Sequence, residues 1–314
     1  MVNNYVEYPS YLHIMVSPYS ADDQLVNPNY IYIKSSEQTS PLFKARTKNP
    51  KRFYEIIKGV SLKNKDLGYL SINPDGISVK AGALGQFQAV SFVPREFFHS
   101  YIFNGTEPIV IVVALKDLYW VLGIAQDNFS SQGDIEEFVP LQGSFYESEQ
   151  ATIEYEKEGS TLNVELFDDT SSNSIEIVPL LQNPIGDIPE PNDRVMFFEM
   201  LCSDLKMILK DCIKTGSKFE LHGFKHDVIA LRFISRNESR FVENDVRAEA
   251  CFQCRIEEDF QFTYSHNCIQ PLLSLPVDKK SNIEVMIYRN GLMNLKFRPV
   301  DVHNSYVNYM VSNV

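Results

Sequence analysis

One structural sentence is written twice along this chain. Phe53-x-x-Ile56–Ile57–Lys58 sets an apolar residue, a gap of two, an aliphatic pair and a lysine; Leu205-x-x-Ile208–Leu209–Lys210 repeats the spacing and the closing lysine. A short extended run precedes each copy, Leu42–Arg46 in the first and Val195–Met200 in the second. So does a helix-start signal, Asn49 ahead of Pro50 and Ser203 ahead of Asp204. A short polar side chain can accept from the first unpaired amides, and proline has no amide to leave unpaired. A repeat this long is no solenoid period and predicts two similar domains in tandem.

Length and composition leave room for that organisation. A chain of 314 residues can hold two domains that each bury a core. A hydrophobic content of 44% predicts a folded chain. No apolar run is long enough to cross a bilayer, and Met1–Ser10 lacks the basic start and apolar core of a signal peptide, so no membrane partner is expected. Five cysteines without framework spacing fit a reducing, intracellular compartment. With 41 acidic against 29 basic residues, overall charge does not suit gripping nucleic acid, although a basic surface of limited extent would.

Residues 1–40 are rich in tyrosine and polar residues, with strand-like pieces at Tyr11–Ser17 and Tyr30–Lys34, and nothing later repeats them. They read as an N-terminal extension. From Pro41 the pattern is regular: a strand at Leu42–Arg46, a helix at Pro50–Val60, then strands at Gly68–Ile72, Ile77–Ala81, Phe87–Val93, His99–Phe103 and Ile109–Ala114. Asn73–Pro74–Asp75–Gly76 has turn composition. Leu115, Leu118, Tyr119 and Leu122 share a helical face and predict a helix over Leu115–Ala125. The polar, acidic stretch Gln126–Gln150 reads as a surface insertion. A hairpin, Ala151–Glu156 with Thr161–Phe167, and a strand at Ser174–Leu180 complete a first domain, residues 41–181. Gln182–Arg194, with Pro184, Gly186, Pro189 and Pro191, is the interdomain linker.

Residues 195–314 repeat the order. A helix at Asp204–Thr215 precedes strands at Lys218–Gly223, Val228–Ser235, Ala248–Arg255 and Phe260–Tyr264. A short helix near His266–Leu273, distorted by Pro271, leads to a hairpin around Arg289–Asn290–Gly291 and a last strand at Ser305–Val311. Each half therefore predicts an α+β unit, an antiparallel sheet with two helices on one face.

At this point a family resemblance becomes specific. Phe43–Lys44–Ala45–Arg46 followed by Phe53-x-x-Ile56–Ile57–Lys58 resembles the opening strand and first helix of eukaryotic sliding DNA clamps. Asp75–Val79, Phe87–Val90 and Pro94–Phe98 resemble their next strands, and Val113–Leu122 their second helix. Arg95–Glu96–Phe97–Phe98-x-x-Tyr101, Gly291–Leu295 and Tyr306–Tyr309 look more like the Rad-one subunits of the heterotrimeric nine-one-one DNA damage checkpoint clamp than like proliferating cell nuclear antigen. The resemblance spans Pro41 to Val314; the extension and the 126–150 insertion depart from it.

The resemblance implies a tandem DNA clamp fold and a mechanical role without catalysis or cofactor. Three such subunits close a ring whose helices line a channel around duplex DNA. This chain would join two other clamp subunits, be placed on DNA by an ATP-dependent clamp loader, and offer its outer face to checkpoint and repair proteins in the nucleus. Lys44, Arg46, Lys48, Lys51, Arg52 and Lys58 in the first strand and helix, with Lys206, Lys210 and Lys214 at i, i+4 spacing in the second copy, are then the DNA-facing candidates. An ordinary solvated helix face would read similarly. Edge strands would pair between subunits, at Ser174, Ile175, Ile177 and Val178 in the first domain and at Ala250, Phe252 and Cys254 in the second.

Signals for other chemistry do not assemble. Cys251-x-x-Cys254 with His222 and His226 has zinc-ligand types in the wrong order and spacing, and cysteines three apart on a strand point to opposite faces. Asp168 and Asp169 run into a loop composition, and Gly82–Ala83–Leu84–Gly85 lacks a following Lys–Ser/Thr. No serine or cysteine stands in a nucleophile-elbow context. No metal site is expected. A nuclease reading finds no site, which leaves the checkpoint clamp subunit and, as the alternative, a homotrimeric processivity clamp that tethers a polymerase, a viral one included.

Overall fold

The computed structural model describes residues 40–60, 67–83, 87–123, 150–167, 172–181, 186, 188–189, 191–275 and 280–314. The expected strands within 1–39, the 126–149 part of the insertion, the Asp168–Asp169 pair and linker residues 182–185, 187 and 190 lie outside these residues.

The duplication holds element by element. The first half runs β1 (Phe43–Thr47), α1 (Pro50–Lys58), β2 (Leu67–Asn73), β3 (Gly76–Ala83), β4 (Phe87–Pro94), a 3-10 turn (Arg95–Phe97), β5 (Ser100–Phe103), β6 (Ile109–Ala114), α2 (Leu115–Gly123), β7 (Gln150–Tyr155), β8 (Leu162–Phe167) and β9 (Ser172–Ile177). The second repeats it as β10 (Arg194–Leu201), α3 (Cys202–Thr215), β11 (Lys218–Gly223), β12 (Ile229–Arg236), β13 (Phe241–Arg247), a 3-10 turn (Ala248–Ala250), β14 (Gln253–Ile256), β15 (Phe260–Ser265), α4 (His266–Ser274), β16 (Asn282–Tyr288), β17 (Met293–Arg298) and β18 (Tyr306–Val311).

Each half holds two antiparallel sheets where the sequence predicts one. The first has the order β5-β1-β7-β8-β9 beside β4-β3-β2-β6, the second β14-β10-β16-β17-β18 beside β13-β12-β11-β15. The two sheets of a half meet at a corner, and the corner is duplicated too. Leu180 N donates to Val112 O at 2.8 Å, and Val314 N donates to Thr263 O at 2.9 Å. The halves are joined by antiparallel pairing of β18 with β4, Tyr306 opposite Phe92 through Val311 opposite Phe87, which makes one nine-stranded sheet.

Local chemistry explains most boundaries. Asn49 caps α1 through its side chain, which accepts from Arg52 N, and Pro50 fills the first turn. Helix α3 starts at Cys202, ahead of the expected Ser203 cap, and Leu201 at its start makes no side-chain cap bond. There the first amide is satisfied by tertiary structure, since Cys202 N donates to Ser281 O at 2.8 Å. Strand β13 went unread in the sequence, and the strand expected over Ala248–Arg255 is a 3-10 turn, a bend and the four-residue β14. The reason is edge position: of Phe241–Arg247 only Val246 is buried, so little apolar alternation shows.

Candidate nucleic-acid interface and subunit edges

Among the described residues the four helices form a row on one face. Tyr119 of α2 donates its hydroxyl to Ile57 O of α1 at 3.2 Å. At the other end of α1, a Cβ on Gly59 would come within 2.5 Å of Leu275 Cδ2, at the end of α4, and 3.2 Å of Val307 Cγ1 on β18. The buried Tyr309 hydroxyl of β18 donates to Gly59 O at 2.7 Å. Lys206 Nζ of α3 donates to Leu275 O at 2.7 Å. The order is α2-α1-α4-α3, seated on the β4–β18 joint through Phe87 and Tyr309, whose rings lie 6.0 Å apart.

The opposite side of that joint carries the linker. Gln88, which alternates away from Phe87, donates to Gly186 O at 2.9 Å and accepts from Ile188 N at 3.1 Å. Ile188 packs on a small separate cluster of Tyr288, Leu292 and Met310. Gly186 and Ile188 thus lie on the sheet face that the helices leave free.

The structure divides the nine basic candidates. Lys51 and Lys58 on α1 and Lys210 and Lys214 on α3 are exposed, with Lys48 exposed just before α1. Lys58 also lies 5.1 Å from the centre of the Tyr54 ring, and Lys214 is 3.9 Å from Asp211. Lys44 and Arg46 belong elsewhere. On β1 the buried residues are Phe43, Ala45 and Thr47, so the two cations alternate onto the outer face of the sheet, where Lys44 pairs with Glu154. Arg52 is occupied by Glu55 at 2.7 Å and by Asp301. Lys206 is half-buried against Leu275 O, and burial pushes its ammonium below the usual lysine range. Lys116, exposed on α2 beside Asp117 and Trp120, joins the helical face. The sequence marked that helix only by its apolar side.

Two of the sheet edges are equivalent to the strands of the internal joint. Strand β9 matches β18 and β13 matches β4, so the pairing that β18 and β4 make with each other is left unmade at β9 and β13. Ser174, Ile175 and Ile177 lie on β9, and Val178 just beyond it is exposed. In the second half the open edge is β13, whose Phe241 is 61% exposed. Ala250, Phe252 and Cys254 lie beyond β13, along the turn and β14, and Phe252 N already donates to Glu199 O at 2.8 Å within the chain.

Among the described residues no group of three or more His, Cys, Asp or Glu side chains could hold a metal ion. His222 pairs with Glu220 at 3.2 Å, and His226 is exposed. Cys251 stands in the bend ahead of β14, and its thiol meets that of Cys254, so the two do not point to opposite faces.

A family model described as repair protein Rad1/Rec1/Rad17 matches residues 42–294. No curated protein sequence matches. Among solved structures, the chain is similar to PCNA from Thermococcus kodakaraensis, with a TM-score of 0.67 and 14% identity over 87% of this chain and 100% of that one. It is similar to the proliferating cellular nuclear antigen of Entamoeba histolytica at a TM-score of 0.67 and 12% identity, over 87% of this chain and 99% of that one. Two clamps from distant organisms thus share its fold.

Proposed function

The chain belongs to the Rad1/Rec1/Rad17 family of repair proteins, and from that premise we propose that it is one subunit of a heterotrimeric sliding clamp that encircles duplex DNA in the DNA damage checkpoint. The observation that carries this reading is the internal joint. Strands β4 and β18 make within the chain the pairing that β13 and β9 leave open, one on each half. An unpaired edge calls for a partner. Head-to-tail pairing of β9 on one subunit with the equivalent of β13 on the next uses both edges of every subunit and can close a ring.

In that ring the helical row faces DNA. Lys51, Lys58, Lys116, Lys210 and Lys214 contact phosphates without reading bases, and an acidic outside is compatible because the ring holds DNA by enclosure. The protein acts as a platform without chemistry of its own. A clamp loader opens and places it, checkpoint and repair proteins bind the outer face, and the site of action is the nucleus.

Size-exclusion chromatography with light scattering tests the assembly. The full chain alone is expected to run as a monomer and to enter a ring only with two different clamp subunits. A stable trimer of the chain alone would replace this reading with the homotrimeric processivity clamp.

A further inference from the structure

The Cys251–Cys254 pair is not absorbed by a clamp function, and its placement is unusual. Internal symmetry locates it: the turns Arg95–Phe97 and Ala248–Ala250 match, as do the pairings of Phe103 with Phe43 and of Ile256 with Met196. Cys251 therefore occupies the place of Phe98 and Cys254 that of Tyr101. In the first half the two rings pack with centroids 5.5 Å apart, so this turn-to-strand path brings residues three apart into side-chain contact. Tyr101 then locks the neighbouring turn, its hydroxyl 2.6 and 2.8 Å from the carbonyls of Asn73 and Gly76. The second half has two thiols at the same corner.

We propose that Cys251 and Cys254 form a redox-active dithiol that closes to an intramolecular disulfide by exchange with a small disulfide of the glutathione type. Both side chains are partly exposed, and between them Phe252 is 60% exposed, so a small reagent can reach the pair. The thiols are hydrogen-bonded to each other. Donation from Cys251 holds the Cys254 thiol below the usual cysteine range, and the same bond with burial pushes Cys251 up. Cys254 is the attacking thiolate.

The exchange balances in two displacements. The Cys254 thiolate attacks one sulfur of the glutathione disulfide, forming a mixed disulfide and releasing one glutathione thiolate. Cys251 gives up its proton and attacks the Cys254 sulfur, releasing the second glutathione. Two protein thiols become one disulfide, and one disulfide becomes two glutathione thiols. The bond would staple the turn after β13 to β14, where the first half has the Phe98–Tyr101 ring contact. The remaining cysteines are placed differently: Cys202 and Cys212 are buried in the core, and Cys268 lies on α4.

The test is a timed reaction of the full-length protein with oxidised glutathione, read by intact mass and peptide mapping. The wild type is expected to lose two hydrogens and yield a Cys251–Cys254 linked peptide. Cys251→Ser is expected to stop at a glutathione adduct on Cys254. In a parallel alkylation the Cys254 thiol should react at least about tenfold faster than Cys268. A persistent glutathione adduct on the wild type, a disulfide that joins either residue elsewhere, or equal reactivity of Cys254 and Cys268 would overturn the proposal. The wild-type peptide map and alkylation rates decide it even if the serine variant folds poorly.

Discussion

Replacing Lys58 and Lys210 by glutamine tests which face meets DNA. The two lysines close the two copies of the repeated helix motif, and both are exposed on the helical row. Each phosphate contact contributes about −0.9 to the slope of log affinity against log salt, so removing one contact at each lysine should flatten the slope by about 1.8. Between about 50 and about 200 mM salt that amounts to roughly a twelvefold smaller loss of affinity for the variant than for the parent. The assay is fluorescence anisotropy of a short duplex with the assembled ring, titrated at several salt concentrations. Lys44 and Arg46 supply the control, since they lie on the outer face of the sheet with Lys44 paired to Glu154. Lys44→Gln with Arg46→Gln should leave the slope unchanged. Equal flattening by both double variants, or flattening by the sheet pair alone, would refute a DNA-facing helical row.

The remaining predictions address assembly and stability. Asn237 N donates to Arg240 O at 2.9 Å, so the next pair, Arg236 with Phe241, turns its amides outward; Phe241→Pro should keep the monomer folded yet prevent ring formation in light scattering, and a normal ring would remove β13 from the joint. Tyr309→Phe leaves Gly59 O without its buried donor and should cost about 1–3 kcal/mol in urea unfolding; an unchanged midpoint would mean the hydroxyl does not tie α1 to β18. His266 is buried, its Nδ1 on Gly216 O and its Nε2 without a partner, and burial lowers its imidazolium pKa. The unfolded chain therefore takes up this proton first, and stability present above a pH of about 6.5 is lost as pH falls. His266→Gln should shrink the drop in urea midpoint between neutral pH and pH of about 5, and an undiminished drop would assign it to other groups.

What the sequence revealed follows from which residues are buried. The helices and inner strands were legible because their apolar spacing serves the core, as with Phe53, Ile56 and Ile57 on α1 and Leu205 and Leu209 on α3. Strand β13 was invisible because an edge strand with one buried residue has no apolar stripe to show. The basic residues misled for a related reason. Charge in a run of sequence does not tell which way a strand alternates, so Lys44 and Arg46 read like Lys51 and Lys58 although they lie on the other side of β1. Nor does it show that Arg52 is held by Glu55 and Asp301, the latter from the far end of the chain.

The internal joint also bears on whether a second copy of this chain could be its neighbour. Aligning the halves through their 3-10 turns and closing hairpins puts Ser91 on Asn244 and Tyr309 on Ile175. A joint between two copies would then set Ser172 opposite Asp245, Ser174 opposite Glu243 and Ile177 opposite Arg240. The joint within the chain has Tyr306 stacked on Phe92 at 5.5 Å, and Tyr309 packed against Phe87. Aromatic cross-strand pairs contribute roughly 0.2–1 kcal/mol each relative to alanine, and the homotypic joint has none at these positions. Asp245 is moreover already engaged by Arg232 at 2.7 Å. In the same register Ile175 would meet Val242, but both serines would face carboxylates. This supports the proposed heterotrimer, whose partner subunit would set apolar or basic residues opposite Glu243 and Asp245.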